Sequence, residues 1–331
     1  FIEDALQENS LVRLKKEDTN YVVNVMRMKS GSSIRVFNPT HGEFLAEVQC
    51  GKRDASLKVL SQLRTIDTTV TGARRKAFPA VLFFAPIKKT RLKTLLEKAT
   101  ELGAEHLVPV LTQNTQYPLE AASLEQYQRI CIQSAEQCER LTLPTLHPQI
   151  TLSDLLAGIK NDPNNATKGK TVAFNTAKLL SLPLFVCAER LSRESAPDVR
   201  ETSDANANNK AAQPLLFAVR QHLYAHNRTL ANTANTNTNT NTCSPSFGVF
   251  VGPEGGFTAA ELDSLASTTQ HSNRAQSAQF VSLGENVLRA ETASIAALSA
   301  VACEVDAMEH EHHWYATTGL PYNLPPIPVG V

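Results

Sequence analysis

Phe250-Val251-Gly252-Pro253-Glu254-Gly255-Gly256-Phe257-Thr258, continued by Ala259-Ala260-Glu261, is the stretch around which the rest of the chain is read. The apolar run 247–251 has the length and continuity of a short buried strand. It stops at three glycines and a proline. Thr258 then stands at a helix N-cap position, with Glu261 three residues on, the spacing of a capping box. The order is strand, glycine loop, helix. Glycines at such a turn permit positive φ and let a ligand approach bare backbone N–H groups. An ordinary strand-to-helix turn does not need three glycines around a carboxylate, so the stretch reads as a ligand loop.

The 331 residues are enough for two domains with their own cores. A hydrophobic content of 42% and a charged content of 19% describe a soluble globular chain. No run of 18 apolar residues exists, so no membrane-spanning helix is expected. The formal net charge is zero, so a nucleic-acid partner has to be argued from local patches. Cys50, Cys131, Cys138, Cys187, Cys243 and Cys303 are scattered without a CxxC pair. That pattern speaks against a zinc ribbon or disulfide framework and fits a reducing compartment. The chain opens on Phe1, which suggests a processed or truncated start.

Residues 1–75 read as a small antiparallel β domain, a barrel or sandwich. Ser33–Phe37 and Glu43–Val48 alternate around an Asn38-Pro39…Gly42 turn, a hairpin signal. Residues 1–76 hold thirteen Lys/Arg against nine Asp/Glu, a modest basic excess. From 76 the pattern becomes α/β. Ala80–Ala85 is a continuous apolar run of the kind found in central parallel strands. Lys88, Lys89, Arg91 and Lys93 follow it, where open α/β sheets bind ligands. Cations are disfavoured at a helix N-terminus, so this cluster suggests a polyanion partner. Further strands are expected at Leu107–Leu111, Leu182–Cys187 and Ala278–Leu283, and helices at Leu124–Cys138 and Ala260–Ala266. A second strand–glycine–helix junction follows at Gly284, with an Ala- and Ser-rich helix to about Cys303. Small residues there suit either a dimer interface or a buried core helix. Segments near 158–170, 189–213 and 227–245 are polar, and 231–242 is an Asn/Thr repeat; these read as disordered insertions in a domain spanning 76–306. Residues 307–331 read as a polar, Pro-rich tail.

Several motifs fail. Gly169-Lys170-Thr171 lacks the upstream glycine of a phosphate-binding loop, and no GxGxxG is present. His310-Glu311-His312-His313 is read as part of the tail, and no metal site is expected. Ser282 is not in a nucleophile elbow.

Four motifs in one order then carry a resemblance: Glu97–Gly103, Ala135–Arg140, Gly252–Phe257 and Ser282–Ala293. The chain resembles the ribosomal RNA small subunit methyltransferase E family of the SPOUT superfamily, and Asn20–Met28 resembles that family's N-terminal signature. The resemblance implies a PUA-like RNA-binding β-barrel domain followed by an α/β methyltransferase domain threaded into a trefoil knot. It implies a homodimer that uses S-adenosylmethionine, without metal, to methylate N3 of a uridine in small-subunit rRNA or the assembled small subunit. Val251, Gly252, Pro253, Glu254, Gly255, Gly256, Ser282, Leu283, Gly284, Val287, Leu288 and Thr292 would line the cofactor pocket. Arg289 would stabilise charge on the uridine. Glu254 would orient the loop, hold a cofactor amine or hydroxyl, or accept the proton. Arg27, Lys29, Lys88, Lys89, Arg91, Gln137 and Arg140 would hold RNA. The chain departs from the family pattern at Tyr21 (usually His), Asn114 (Arg) and Glu139 (Gly), all on the presumed RNA side. These departures and the insertions motivate a second reading, an RNA-binding assembly factor without catalysis. The insertions also suggest a eukaryotic copy acting in mitochondrion or plastid; otherwise the chain would be cytoplasmic.

Overall fold

The computed structural model describes residues 1–51, 54–66, 80–160, 182–188, 212–233, 247–267 and 278–318. The chain forms two compact units. The first holds Phe1–Lys76 together with Arg129–Leu143, a segment the sequence pattern had placed in the second domain. The second holds Ala77–Gln128 and Pro144–Val331.

In the first unit, strands β1 (Leu11–Arg13), β2 (Ser33–Asn38), β3 (Gly42–Cys50) and β4 (Ala55–Arg64) form one antiparallel sheet in the order β1-β4-β3-β2. Barrel closure is not among the described pairings. The hairpin signal holds: Asn38 pairs with Gly42, and the Asn38 Oδ1 accepts from the Thr40 amide at 2.7 Å. Its Nδ2 donates to the carbonyls of Ile2 and Asp4 at 3.1 Å each, which pins the N-terminal segment. Gly42 has φ +92, and a Cβ there would lie 2.2 Å from the Arg64 carbonyl oxygen, so no other residue fits. Helix α1 (Lys16–Asn20) runs into a π-turn over Tyr21–Val25, closed by the Met26 amide donating to the Tyr21 carbonyl at 2.9 Å.

Helix α3 (Leu124–Gln137) ends in this unit with a Schellman closure. The Arg140 amide donates to Ala135 O at 3.0 Å, and Glu139 takes φ 55. This left-handed position explains why glycine suits it. Here the Glu139 side chain turns back to Arg35 at 2.6 Å, which holds its carboxyl below the usual carboxylate range.

In the second unit the strands are β5 (Ala80–Phe84), β6 (Ala104–Leu111), β7 (Thr145–Leu146), β8 (Ile150–Thr151), β9 (Leu184–Cys187), β10 (Gln213–Pro214), β11 (Phe247–Val251) and β12 (Ala278–Ser282). They form a parallel sheet in the order β10-β12-β9-β11-β5-β6-β7, with β8 beside β6. The central strands β5, β9 and β11 are buried along their whole length, as their unbroken apolar runs require. Phe83, Val186, Phe250 and Phe280 meet in one core, each large side chain contributing about 2 kcal/mol of burial. The helices are α2 (Lys89–Glu101), α4 (Leu152–Lys160), α5 (Leu215–Thr233), α6 (Ala259–Ser267) and α7 (Ala290–Thr318). The small residues of α7 settle as core: Ala293, Ser294 and Ala297 are buried, and the helix packs on α2 and α5.

Two expectations change here. Residues 158–160, 213 and 227–233, read as insertion, belong to α4, β10 and α5. Helix α7 continues beyond Cys303 to Thr318, so 307–318 are helix and His310–His313 lie within it, where a tail was expected. The segments 161–181, 189–211 and 234–246 lie outside the described residues, as do Gly169-Lys170-Thr171 and the last residues 319–331.

His106 on β6 and His147 after β7 face each other, Nδ1 to Nε2 at 3.1 Å. Burial lowers both, and the neighbouring ring helps push His147 down to about 4. One ring donates to the other while at least one of them is neutral, and the contact is lost when both facing nitrogens carry a proton. A depressed histidine means that the unfolded chain takes up the proton first as pH falls. Stability is therefore full above about pH 6.5 and declines as the pH falls toward about 4. Urea midpoints measured across this window will fall in the native chain and fall less steeply in His147→Gln.

Candidate functional site

The parallel strands β9 and β11 end side by side at Cys187 and Val251, and the loops beyond them open a cleft of about 400 Å³. Its size lies within the range of about 300–1,000 Å³ usual for small-ligand sites. Of the expected pocket residues, Val251, Gly252, Pro253, Glu254, Gly256, Val287 and Leu288 line it, as does Arg289. Gly255, Ser282, Leu283, Gly284 and Thr292 do not.

The glycine loop owes its shape to interactions on every side. The Gly256 amide donates to Pro253 O at 2.8 Å, closing a turn that gives Gly256 φ +74. A Cβ at Gly256 would meet no atom within 4 Å, and Gly256 lines the cleft with bare backbone. Gly252 lets Phe257 fold over it, since a Cβ would lie 2.7 Å from that ring. Phe257 in turn packs edge-on against Phe250, centroids 5.0 Å apart. The capping box forms as spaced: the Thr258 amide donates to Glu261 Oε2 at 2.8 Å, and the Glu261 amide donates back to Thr258 Oγ1 at 3.3 Å. Glu261 Oε1 also accepts from the Gln113 amide at 2.7 Å.

Asn114, beyond β6 and expected on the RNA side, reaches this loop. Its Nδ2 donates to Gly256 O at 2.9 Å and Gly255 O at 3.3 Å. A side chain at position 255 would meet Asn114 Cβ at 3.0 Å and not the cleft.

At the second junction, Ser282 Oγ accepts from the Gly284 amide at 3.3 Å, and Gly284 turns the chain with φ +127. Val287 is 56% exposed on the cleft wall. Arg289 gives its carbonyl to the Ala293 amide at 2.8 Å, so its backbone starts α7 while its side chain is exposed.

Arg91, expected among the RNA contacts, lines the cleft and pairs with Glu254. A carboxylate within the chain therefore offsets this cation in the first turn of α2. Lys88 and Lys89 are exposed beside it. In the first unit, Arg27, Lys29 and Gln137 are exposed, and Arg140 Nε donates to Thr142 Oγ1 at 2.9 Å. Tyr21 is 51% exposed on the π-turn.

The sequence missed Cys187 and Ala188, which form the cleft floor. The apolar run Leu182–Cys187 was recognised as a strand, but nothing local says that it lies beside β11. Phe257 and Leu262 were also missed, although their spacing after the glycine loop was legible.

A family model described as RNA methyltransferase domain matches residues 74–181 and 189–302. One described as RNA methyltransferase PUA domain matches residues 14–60. The chain belongs to the RNA methyltransferase family. A curated relative, ribosomal RNA small subunit methyltransferase E of Rickettsia conorii, is 29% identical over 303 residues, covering 91% of this chain and 93% of that protein. The protein of the same name from Synechocystis is 27% identical over 145 residues, 44% of this chain and 45% of its own. Among solved structures, ribosomal RNA small subunit methyltransferase E from Neisseria gonorrhoeae bound to S-adenosyl methionine shares the fold. Its TM-score is 0.56 at 22% identity, covering 90% of this chain and 94% of that one. A probable rRNA-methyltransferase from Porphyromonas gingivalis gives 0.58 at 17%, covering 91% and 95%. These relatives are bacterial, and none supports the organellar expectation. Among the described residues no helix is long and apolar enough to cross a membrane.

The two cleft glycines fail differently when substituted. Gly256→Ala meets no atom but forces a side chain into the left-handed region, a cost of about 1–2 kcal/mol in urea unfolding. Gly252→Ala displaces Phe257 from Phe250, and its near-ultraviolet aromatic signal will change where that of Gly256→Ala will not.

Proposed function

We propose that this chain methylates small-subunit ribosomal RNA, with S-adenosylmethionine as donor and N3 of a uridine as acceptor. The observation that carries the reading is the cleft at the ends of β9 and β11, walled by two glycine junctions, in a chain of the RNA methyltransferase family. The cleft suits a donor with a flat ring system and a charged amino-acid end. Its walls are mostly apolar, the Gly256 backbone is open to approach, and the Arg91–Glu254 pair and Arg289 supply charge along its lining. Val251, Gly252, Pro253, Val287 and Leu288 would hold the donor. When bound, it supplies a methyl group carried on a sulfonium.

What the chain contributes is positioning and charge stabilisation. Uridine N3 carries a proton that must leave before its lone pair is available, and the resulting anion spreads onto O2 and O4. Arg289, exposed on the cleft wall, is the cation suited to meet that charge. Glu254 has one oxygen engaged by Arg91, which supports the loop-orienting role among the three left open by the sequence. Exposed Arg27, Lys29, Lys88 and Lys89 are suited to phosphates. The trefoil threading belongs to the same reading, supported by two glycine junctions lining one cleft. So does a homodimer, supported by Leu216, Phe217 and Tyr224, large side chains that α5 leaves exposed.

The test is transfer of labelled methyl from S-adenosylmethionine to small-subunit rRNA lacking the modification. The native chain will label the RNA. Arg289→Ala will lose turnover while its calorimetric affinity for the donor stays within a few-fold. Donor binding without any transfer by the native chain would favour the assembly-factor reading.

A further inference from the structure

Arg91 is held in an unusual way for a residue of a helix's first turn. The amide dipoles of α2 disfavour a cation at this position, and nothing in α2 itself offsets it, since the first turn holds no acidic residue. Two carboxylates from distant segments do. Arg91 Nη1 pairs with Glu254 Oε1 in the glycine loop, 163 residues away in sequence. Arg91 Nε faces Glu291 Oε1 at 3.7 Å, in the first turn of α7.

The three side chains are ordered in depth. Arg91 and Glu254 line the cleft, about one-third exposed, whereas Glu291 stands behind Arg91 and is 14% exposed. The second Glu291 oxygen is buried and has no hydrogen-bond partner among the described residues. Its charge therefore rests on Arg91 and on the amide ends of α7. A guanidinium presents donors along two edges and can serve both carboxylates at once; a single ammonium cannot do so in this geometry. Glu254 is flanked by Pro253 and Gly255, so this contact fixes the loop next to the Gly255 and Gly256 carbonyls that Asn114 holds.

We propose that Arg91 is the positioning residue that ties the glycine loop to the start of α7, so that donor affinity depends on it. This rests on the methyl-donor reading of the cleft and removes Arg91 from the RNA contacts. Without the tie, Glu254 swings free, Glu291 keeps a buried charge without a counter-ion, and the two junctions lose their fixed spacing. Arg289 and the backbone of Gly256 then face a ligand from walls that are no longer held together.

The experiment compares Arg91→Met, Arg91→Lys, Glu254→Gln and the double variant Arg91→Met/Glu254→Gln. S-adenosylmethionine affinity is read by calorimetry and binding to an rRNA fragment by filter retention at two salt concentrations. Arg91→Met is expected to weaken donor binding at least tenfold and to leave RNA affinity and its salt dependence within twofold. Arg91→Lys will recover only part of the loss, and the double variant will be no weaker than Arg91→Met. Should Arg91→Met fold poorly, Arg91→Met/Glu291→Gln removes the stranded charge and is used in its place. Native donor affinity in Arg91→Met, with weakened RNA binding and a shallower salt dependence, would overturn the proposal. If the native chain itself binds no donor, the methyl-donor reading fails instead. The tie is then judged by melting temperatures alone: equal melting of the double variant and Arg91→Met sustains it, and strictly additive losses overturn it.

Discussion

The loop that leaves β11 turns within five residues, and its shape depends on polar groups from its own helix cap and from two distant segments. Asn114 takes its carbonyls, Glu261 takes the Thr258 amide, and Arg91 takes the Glu254 carboxylate. A loop with three glycines has much backbone freedom to lose, so each of these contacts offsets part of that entropy. The cleft exists because the loop is held. Its apolar floor comes from strands that are buried on both faces and can therefore support no charge of their own.

That division of labour explains what the sequence revealed and what it hid. The strand–glycine–helix order was legible because strand burial, positive φ and capping all act within a dozen residues. Thr258 and Glu261 were paired from spacing alone, and the structure pairs them. The Asn38–Gly42 turn was legible for the same reason. Cys187 and Ala188 were hidden because their place beside β11 is a matter of sheet order, which no local pattern encodes. Arg91 was assigned to RNA because its partners lie more than 160 residues away in sequence. An unbalanced cation in a first turn signals an anion, and the chain itself supplies two carboxylates there.

The departures from the family pattern also separate once placed. Glu139 occupies a left-handed helix end where its side chain finds Arg35, so the loss of a glycine is matched by a local ion pair. Asn114 is part of the glycine loop's support and acts on the cleft. Tyr21 and Glu139 both lie on exposed surface of the first unit, Tyr21 on a π-turn followed by Arg27 and Lys29. The long α7 likewise turns a stretch read as tail into helix, because Ala and Ser at the packing face say little about where a helix ends.

The most direct test of the central claim is nucleoside mapping of small-subunit rRNA after reaction with the native chain and S-adenosylmethionine. The account predicts one uridine converted to its N3-methyl form, located by mass spectrometry of RNase fragments. A methyl group on a ribose hydroxyl, on another base, or on no nucleotide at all would contradict it.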